Sequence, residues 1–137
     1  LRPEMEKRKI RPKMTLDKKL TPFLLDRDRL HQVFINLIKN GMEAMPKGGI
    51  LGISTSFGEK LCLVRFEDEG RGIEAKDLPH VFEAYYTTKE EGSGLGLYIT
   101  KNIIERHGGK IWAESIINRG TTFYFTLPTE PKLIPSR

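Results

Sequence analysis

Gly92-Ser93-Gly94-Leu95-Gly96-Leu97 is the stretch around which this 137-residue chain can be read. Glycine at every second position leaves backbone N–H groups uncovered. The run opens a helix predicted over 98–107, whose positive end points the same way. Such a loop suits an anion, phosphate first among them. Ile99 stands where G-x-G-x-x-G needs its last glycine, and no G-x-x-x-x-G-K-[ST] occurs. A nucleotide here would therefore be held outside the dinucleotide-binding and P-loop designs. Thr87-Thr88-Lys89 form a polar loop ahead of the glycines, placed for a terminal phosphate.

Working outward, the length allows one domain with a sizeable core. The chain begins at Leu1, so we expect it to be cut from a longer protein. No apolar run reaches membrane-spanning length. The only cysteine is Cys62, which excludes an internal disulfide and a cysteine-based zinc site, and fits a reducing compartment such as the cytoplasm. The net charge of +5 lies in residues 1–19, and the remainder carries fifteen charges of each sign. The globular part thus gives no electrostatic argument for nucleic acid, and the basic segment reads as a solvated linker without interleaved aromatics.

Residues 1–10 read as the tail of a helix, with Leu1 and Met5 one turn apart and Pro12 stopping it. A strand is expected over 20–25, with Pro22 placing it near an edge. Asp26 or Asp28 then caps a long helix, whose apolar face is Leu30, Val33, Phe34, Leu37, Ile38, Gly41 and Met45. Pro46-Lys47-Gly48-Gly49 ends it. Strands are predicted over 50–57 and 61–67 across a glycine-containing turn, and over 110–116 and 121–127 across Asn118-Arg119-Gly120. Residues 76–91 read as loop with at most a turn of helix. Helices and strands arrive in clusters, so the expected class is α+β: a mixed sheet with about three helices on one face.

Two further groups stand out. Gln32, Asn36 and Asn40 recur every four residues as a polar strip on the long helix. Asn is a poor helix former, so a pair at this spacing asks for a reason. One reason is an exposed strip, or amides bonded to backbone. The other is a neutral hard oxygen for a Mg²⁺ that takes its remaining ligands from water and phosphate. In Asp68-Glu69-Gly70-Arg71-Gly72-Ile73, Asp68 shares a face with Cys62, Val64 and Phe66 at a strand's end. An ionised carboxylate accepts but never donates, so it suits adenine's exocyclic amine and not a 6-oxo purine. Gly70 and Gly72 would let the backbone pass close to a flat ring.

Taken in order, these stretches resemble the nucleotide-binding boxes of sensor histidine kinases. His31 through Asn40 resembles the N box and Asp68 through Ile73 the G1 box. Phe82-Glu83-Ala84-Tyr85-Tyr86-Thr87-Thr88-Lys89 resembles the F box, Gly92 through Leu97 the G2 box, and Arg119-Gly120-Thr121-Thr122-Phe123 the last glycine motif. Five short motifs in register, over roughly residues 20 to 128, are jointly specific where each alone is not. The family shares an ATP-binding α/β sandwich with gyrase, heat-shock chaperone and mismatch-repair ATPases.

The resemblance implies ATP and Mg²⁺ as cofactors, with Asn40 as metal ligand and Asn36 facing the phosphates. Asp68 would bind the adenine amine, helped by a water and by Thr121. Gly70, Gly72 and Ile73 would line the base pocket, and Ala44 counts among the nucleotide-binding residues. Gly92, Ser93, Gly94, Leu95, Gly96 and Leu97 would wrap the phosphates. Lys39, Glu43, Thr87, Thr88 and Lys89 are further contacts, Asn36, Asn40 and Lys89 being the catalytic set, and 76–91 would be the ATP lid. Glu43 departs from the Lys or Arg frequent there, and Ala84 from a frequent Pro.

Hydrolysing relatives carry a Glu at position 36 to activate water, whereas Asn36 cannot act as a base. The resemblance therefore implies transfer to a histidine on a dimerisation domain, with a response regulator downstream. His31, His80 and His107 lack the acceptor's setting and read as structural or exposed. Residues 1–19 would be the end of the dimerisation-domain helix and a linker, 20–128 the catalytic domain and 129–137 a tail. The alternatives are a stand-alone ATPase of the gyrase or chaperone type and a nucleotide-sensing module without transfer.

Overall fold

The computed structural model describes residues 2–15, 27–86 and 94–129. The alternation of Cys62, Val64 and Phe66 makes β3 (Leu61–Glu67) the middle strand of the sheet. On one side lies β2 (Gly49–Phe57), and outside it β1 (Ile10–Thr15). On the other lies β5 (Gly120–Pro128), and outside it β4 (Ile111–Ile116). The order is β1-β2-β3-β5-β4. β1 runs parallel to β2 and the other pairs are antiparallel, which makes the sheet mixed as expected.

Register puts like with like. Cys62 stands opposite Leu127, Val64 opposite Phe125 and Phe66 opposite Phe123. All six side chains point to one face and are buried. Two helices cover that face. They are α2 (Arg27–Ala44), through Val33 and Leu37, and α3 (Gly96–Arg106), through Ile103 and Ile104. Phe34 meets Phe66 and Phe125 edge-on at 5.3 and 6.1 Å, the arrangement that aromatic quadrupoles favour. Burying each of these rings stabilises the fold by roughly 1.5–3 kcal/mol. A second cluster joins Met5 from α1 (Arg2–Lys7) to Ile10, Met42, Met45 and Leu51. The result is the two-layer α/β sandwich that the clustered elements imply.

The helix read over 1–10 ends at Lys7, and 10–15 is no linker: it pairs residue by residue with β2, from Ile10 opposite Gly49 to Thr15 opposite Ser54. Among the described residues β1 pairs only with β2, a position that tolerates Pro12. Met5 and Ile10 are buried in the second cluster, so the folded unit takes in residues that the linker reading left out. The strand expected over 20–25 and the cap at Asp26 lie outside the described residues. Asp28 falls within the first turn of α2, where its charge complements the helix dipole, and is not the cap.

Other boundaries move by a residue or two. α3 begins at Gly96, so the last two residues of the glycine-rich stretch are already helical, and it ends at Arg106. The segment after β3 holds one 3-10 turn, Leu78–His80. Among the described residues no helix is long and apolar enough to cross a membrane.

Candidate functional site

Asp68 is the first residue beyond β3, and strand alternation carries it to the core side, where it is 5% exposed. The β3–β5 ladder runs one step past the strand: Asp68 N–H donates to Thr121 O at 2.9 Å. Thr121 N–H answers at 3.2 Å to Asp68 Oδ1, and Gly70 N–H donates to the same oxygen at 2.9 Å. Burial pushes the carboxyl above its ordinary value of 3.8, the two backbone donors pull against that, and Glu67 adds to the rise. Both bonds fall on Oδ1.

The loop after Asp68 is held by its neighbours' backbones. Arg71 N–H donates to Ala44 O at 3.2 Å, and Asn118 N–H donates to Arg71 O at 2.7 Å. A Cβ on Gly70 would collide with Ala44 O, and one on Gly72, at φ +74°, with Ile116 O. Close approach within the protein thus already requires both glycines. Ala44 has a role the motif reading left undefined: its carbonyl anchors the loop to the end of α2. Ile73 N–H donates to Ser115 Oγ at 2.7 Å, which ties the loop to β4.

The amide strip on α2 divides. Gln32 is exposed, while Asn36 and Asn40 are half-buried. Asn36 Nδ2 donates to Gly96 O at 3.3 Å and to Thr100 Oγ1 at 3.2 Å, and Thr100 donates its own proton to Gly96 O at 2.8 Å. Part of the bland reading therefore holds, since one end of this amide bonds to protein. The network also orients it, with nitrogen on the first turn of α3 and oxygen away from it. Lys39 and Glu43 are exposed beside Asn40.

Gly94, Leu95, Gly96 and Leu97 lead into α3. Leu95 caps the helix without a side-chain hydrogen bond, and the space beside Gly96 is open. This is the end of a helix at which backbone N–H groups suit an anion. Gly94 O accepts Tyr85 N–H at 2.8 Å, joining this approach to the segment after the 3-10 turn. There Tyr86 donates its hydroxyl to Asp77, which raises the phenol's pKa, and His80 pairs with Glu83 at 2.7 Å. Thr87, Thr88, Lys89, Gly92 and Ser93 lie outside the described residues.

The structure thus brings Asn36, Gly96, Asp68, Gly70, Ile73 and Thr121 into two connected networks, one on the α2–α3 seam and one at the β3–β5 end. Sequence reasoning missed Ser115 and Thr100. The available signal was a lone hydroxyl on an otherwise apolar face, Ser115 after Ile111 and Ala113, and Thr100 before Ile103 and Ile104. Among the described residues no three His, Cys, Asp or Glu side chains form a metal-holding group. Asn40, half-buried on α2, carries an amide oxygen of the kind a hard cation takes alongside phosphate and water.

A sequence model of the family described as histidine kinase-, DNA gyrase B-, and HSP90-like ATPase matches residues 25–131. Sporulation kinase C of Bacillus subtilis is 44% identical over 103 residues, which are 75% of this chain and 24% of that protein. Sensor protein FixL of Bradyrhizobium diazoefficiens is 38% identical over 119 residues, 85% of this chain and 24% of its own. The chain spans about a quarter of the length of these curated relatives. Among solved structures, the nucleotide-free catalytic domain of histidine kinase ThkA superposes with a TM-score of 0.85 at 34% identity, covering 95% of this chain and 86% of that one.

Proposed function

The chain belongs to the histidine kinase-, DNA gyrase B- and HSP90-like ATPases, and from that premise we propose that it is the catalytic ATP-binding domain of a sensor histidine kinase. It binds ATP and passes the γ-phosphoryl group to a histidine on a dimerisation domain of the same protein, working in the cytoplasm and feeding a response regulator. The observation that carries transfer over hydrolysis is Asn36. An amide with its nitrogen committed to Gly96 O and Thr100 Oγ1 can orient a phosphate or a water but cannot take a proton from one.

The roles of the other residues follow from what each can donate or accept. Asp68 Oδ2 accepts from the adenine amine, and Thr121 supports it. The first-turn N–H groups of α3, with Gly94 to Leu97, receive phosphate oxygens. Asn40 would hold Mg²⁺, with Lys39 and Glu43 near its waters, and the bound ion would neutralise phosphate charge. Lys89, with Thr87 and Thr88, would meet the terminal phosphate. With an amide at position 36, the chain contributes positioning and charge stabilisation.

The test supplies ATP and Mg²⁺ to the chain with and without the parent's dimerisation domain. Acid-labile phosphate on the added domain, with little ADP released in its absence, is the expected result. Steady ADP release by the chain alone would make it a stand-alone ATPase. Saturable binding with no transfer would make it a nucleotide sensor.

A further inference from the structure

Thr100 places a hydroxyl in an apolar setting. It is 0% exposed on α3, on the side that also buries Ile103 and Ile104. Valine would fill the same space with no polar group to satisfy. The hydroxyl donates to Gly96 O at 2.8 Å, one turn back in its own helix. That bond alone is ordinary for a helical threonine. The contact that is not local comes from α2, where Asn36 Nδ2 donates to Thr100 Oγ1 at 3.2 Å.

A threonine hydroxyl has one proton. Gly96 O is a carbonyl and can only accept, so the proton lies on that bond and Thr100 Oγ1 shows Asn36 lone pairs only. Asn36 Nδ2 also donates to Gly96 O at 3.3 Å. Both groups that α3 presents to this amide are therefore acceptors, and only its NH₂ end fits against them. Gly96 O alone is a weak anchor, since 3.3 Å is long for an N–H···O bond. We propose that Thr100 is a positioning residue for the nucleotide phosphates: by spending its proton on Gly96 O, it holds the Asn36 amide in one of its two flip-related orientations. This rests on the reading of Asn36 as a group that faces the phosphates.

The orientation matters because a turned amide exchanges an acceptor for a donor. Whatever phosphate oxygen, water or cation meets the correct end is then mismatched. Thr100 acts only through Asn36, so its effect on a nucleotide should disappear when the amide is removed. A hydroxyl that served the fold alone would matter equally with or without Asn36.

The experiment titrates the chain with a non-hydrolysable ATP analogue in Mg²⁺. The variants are Thr100→Val, which keeps the shape and loses the hydroxyl, Thr100→Ser, Asn36→Ala, and Asn36→Ala combined with Thr100→Val. Thr100→Val is expected to raise Kd by about three- to tenfold, the scale of one hydrogen bond, and Thr100→Ser to recover most of the loss. In the Asn36→Ala background, Thr100→Val should leave Kd unchanged. An equal loss in both backgrounds overturns the proposal, and so does wild-type affinity in Thr100→Val. Wild-type affinity in Asn36→Ala overturns the reading of Asn36, and the proposal with it. Should Thr100→Val fail to fold, the wild-type chain carries the test by NMR. The Asn36 side-chain amide protons should exchange more slowly than those of exposed Gln32 and show a cross-peak to Thr100, and exchange at the Gln32 rate overturns the assignment.

Discussion

Replacing Asp68 with asparagine separates what this side chain does for the fold from what it does for a nucleotide. Oδ1 accepts from Gly70 and Thr121, and an amide oxygen in the same place keeps both bonds. The other arm changes from an acceptor to an NH₂ donor facing adenine's amine. Losing one hydrogen bond to a charged acceptor costs about 1.5–3 kcal/mol, or roughly tenfold to 150-fold in Kd. Stability should move the other way. Burial raises the carboxyl's pKa above 3.8, so the folded state holds the proton more tightly than the unfolded chain. The stability that protonation contributes is fully present below the unfolded value and is lost as pH rises through the raised folded value. Above that window the native state carries the cost of a buried charge, which Asp68→Asn removes. The variant should therefore melt at or above wild type at neutral pH, and should lack the wild type's gain in stability on acidification through the window. Calorimetric titration with a non-hydrolysable ATP analogue, and denaturant melts across pH, read the two effects. Wild-type affinity in a folded Asp68→Asn chain would refute the assignment, and a large loss of stability at neutral pH would refute the account of the burial cost.

Two further outcomes are expected. Phe125→Ala removes a ring that is 0% exposed, stacked on Phe66 at 6.3 Å and edge-on to Phe34. It should cost about 3–5 kcal/mol in urea unfolding, and a loss under about 1 kcal/mol would mean that the core is not packed as described. Asn40→Ala should abolish the Mg²⁺ dependence of ATP binding, and binding that remains Mg²⁺-dependent would move the metal ligand elsewhere.

The elements that were legible in the sequence are those whose partners are periodic and local. Leu30 to Ile38 mark one helix face by spacing alone, and Cys62, Val64 and Phe66 mark one strand face. The hairpin across Asn118 was legible because Asn118, at φ 65°, and Gly120 suit a tight turn. β1 was not legible. Its residues, Ile-Arg-Pro-Lys-Met-Thr, are exposed after Ile10 and contain a proline, so nothing within them distinguishes an edge strand from a linker. Only β2, more than thirty residues away, makes them a strand. Parallel pairing of distant segments leaves no local trace, because its hydrogen bonds belong to two stretches at once.

The candidate site divides along the same line. Residue order alone sets the chemical inventory: a carboxylate at a strand's end, two amides one helical turn apart, and glycines before a helix. Those residue types and spacings limit what each group can donate, accept or ligate, wherever the chain puts them. How those groups are aimed comes from the fold. It turned the Asn36 nitrogen onto Gly96 and Thr100, gave both Asp68 Oδ1 bonds to backbone, and set the Ser115 and Thr121 hydroxyls against each other at 2.8 Å. A hydroxyl or amide takes its direction from whatever stands across from it, and in this fold that partner comes from another strand or helix.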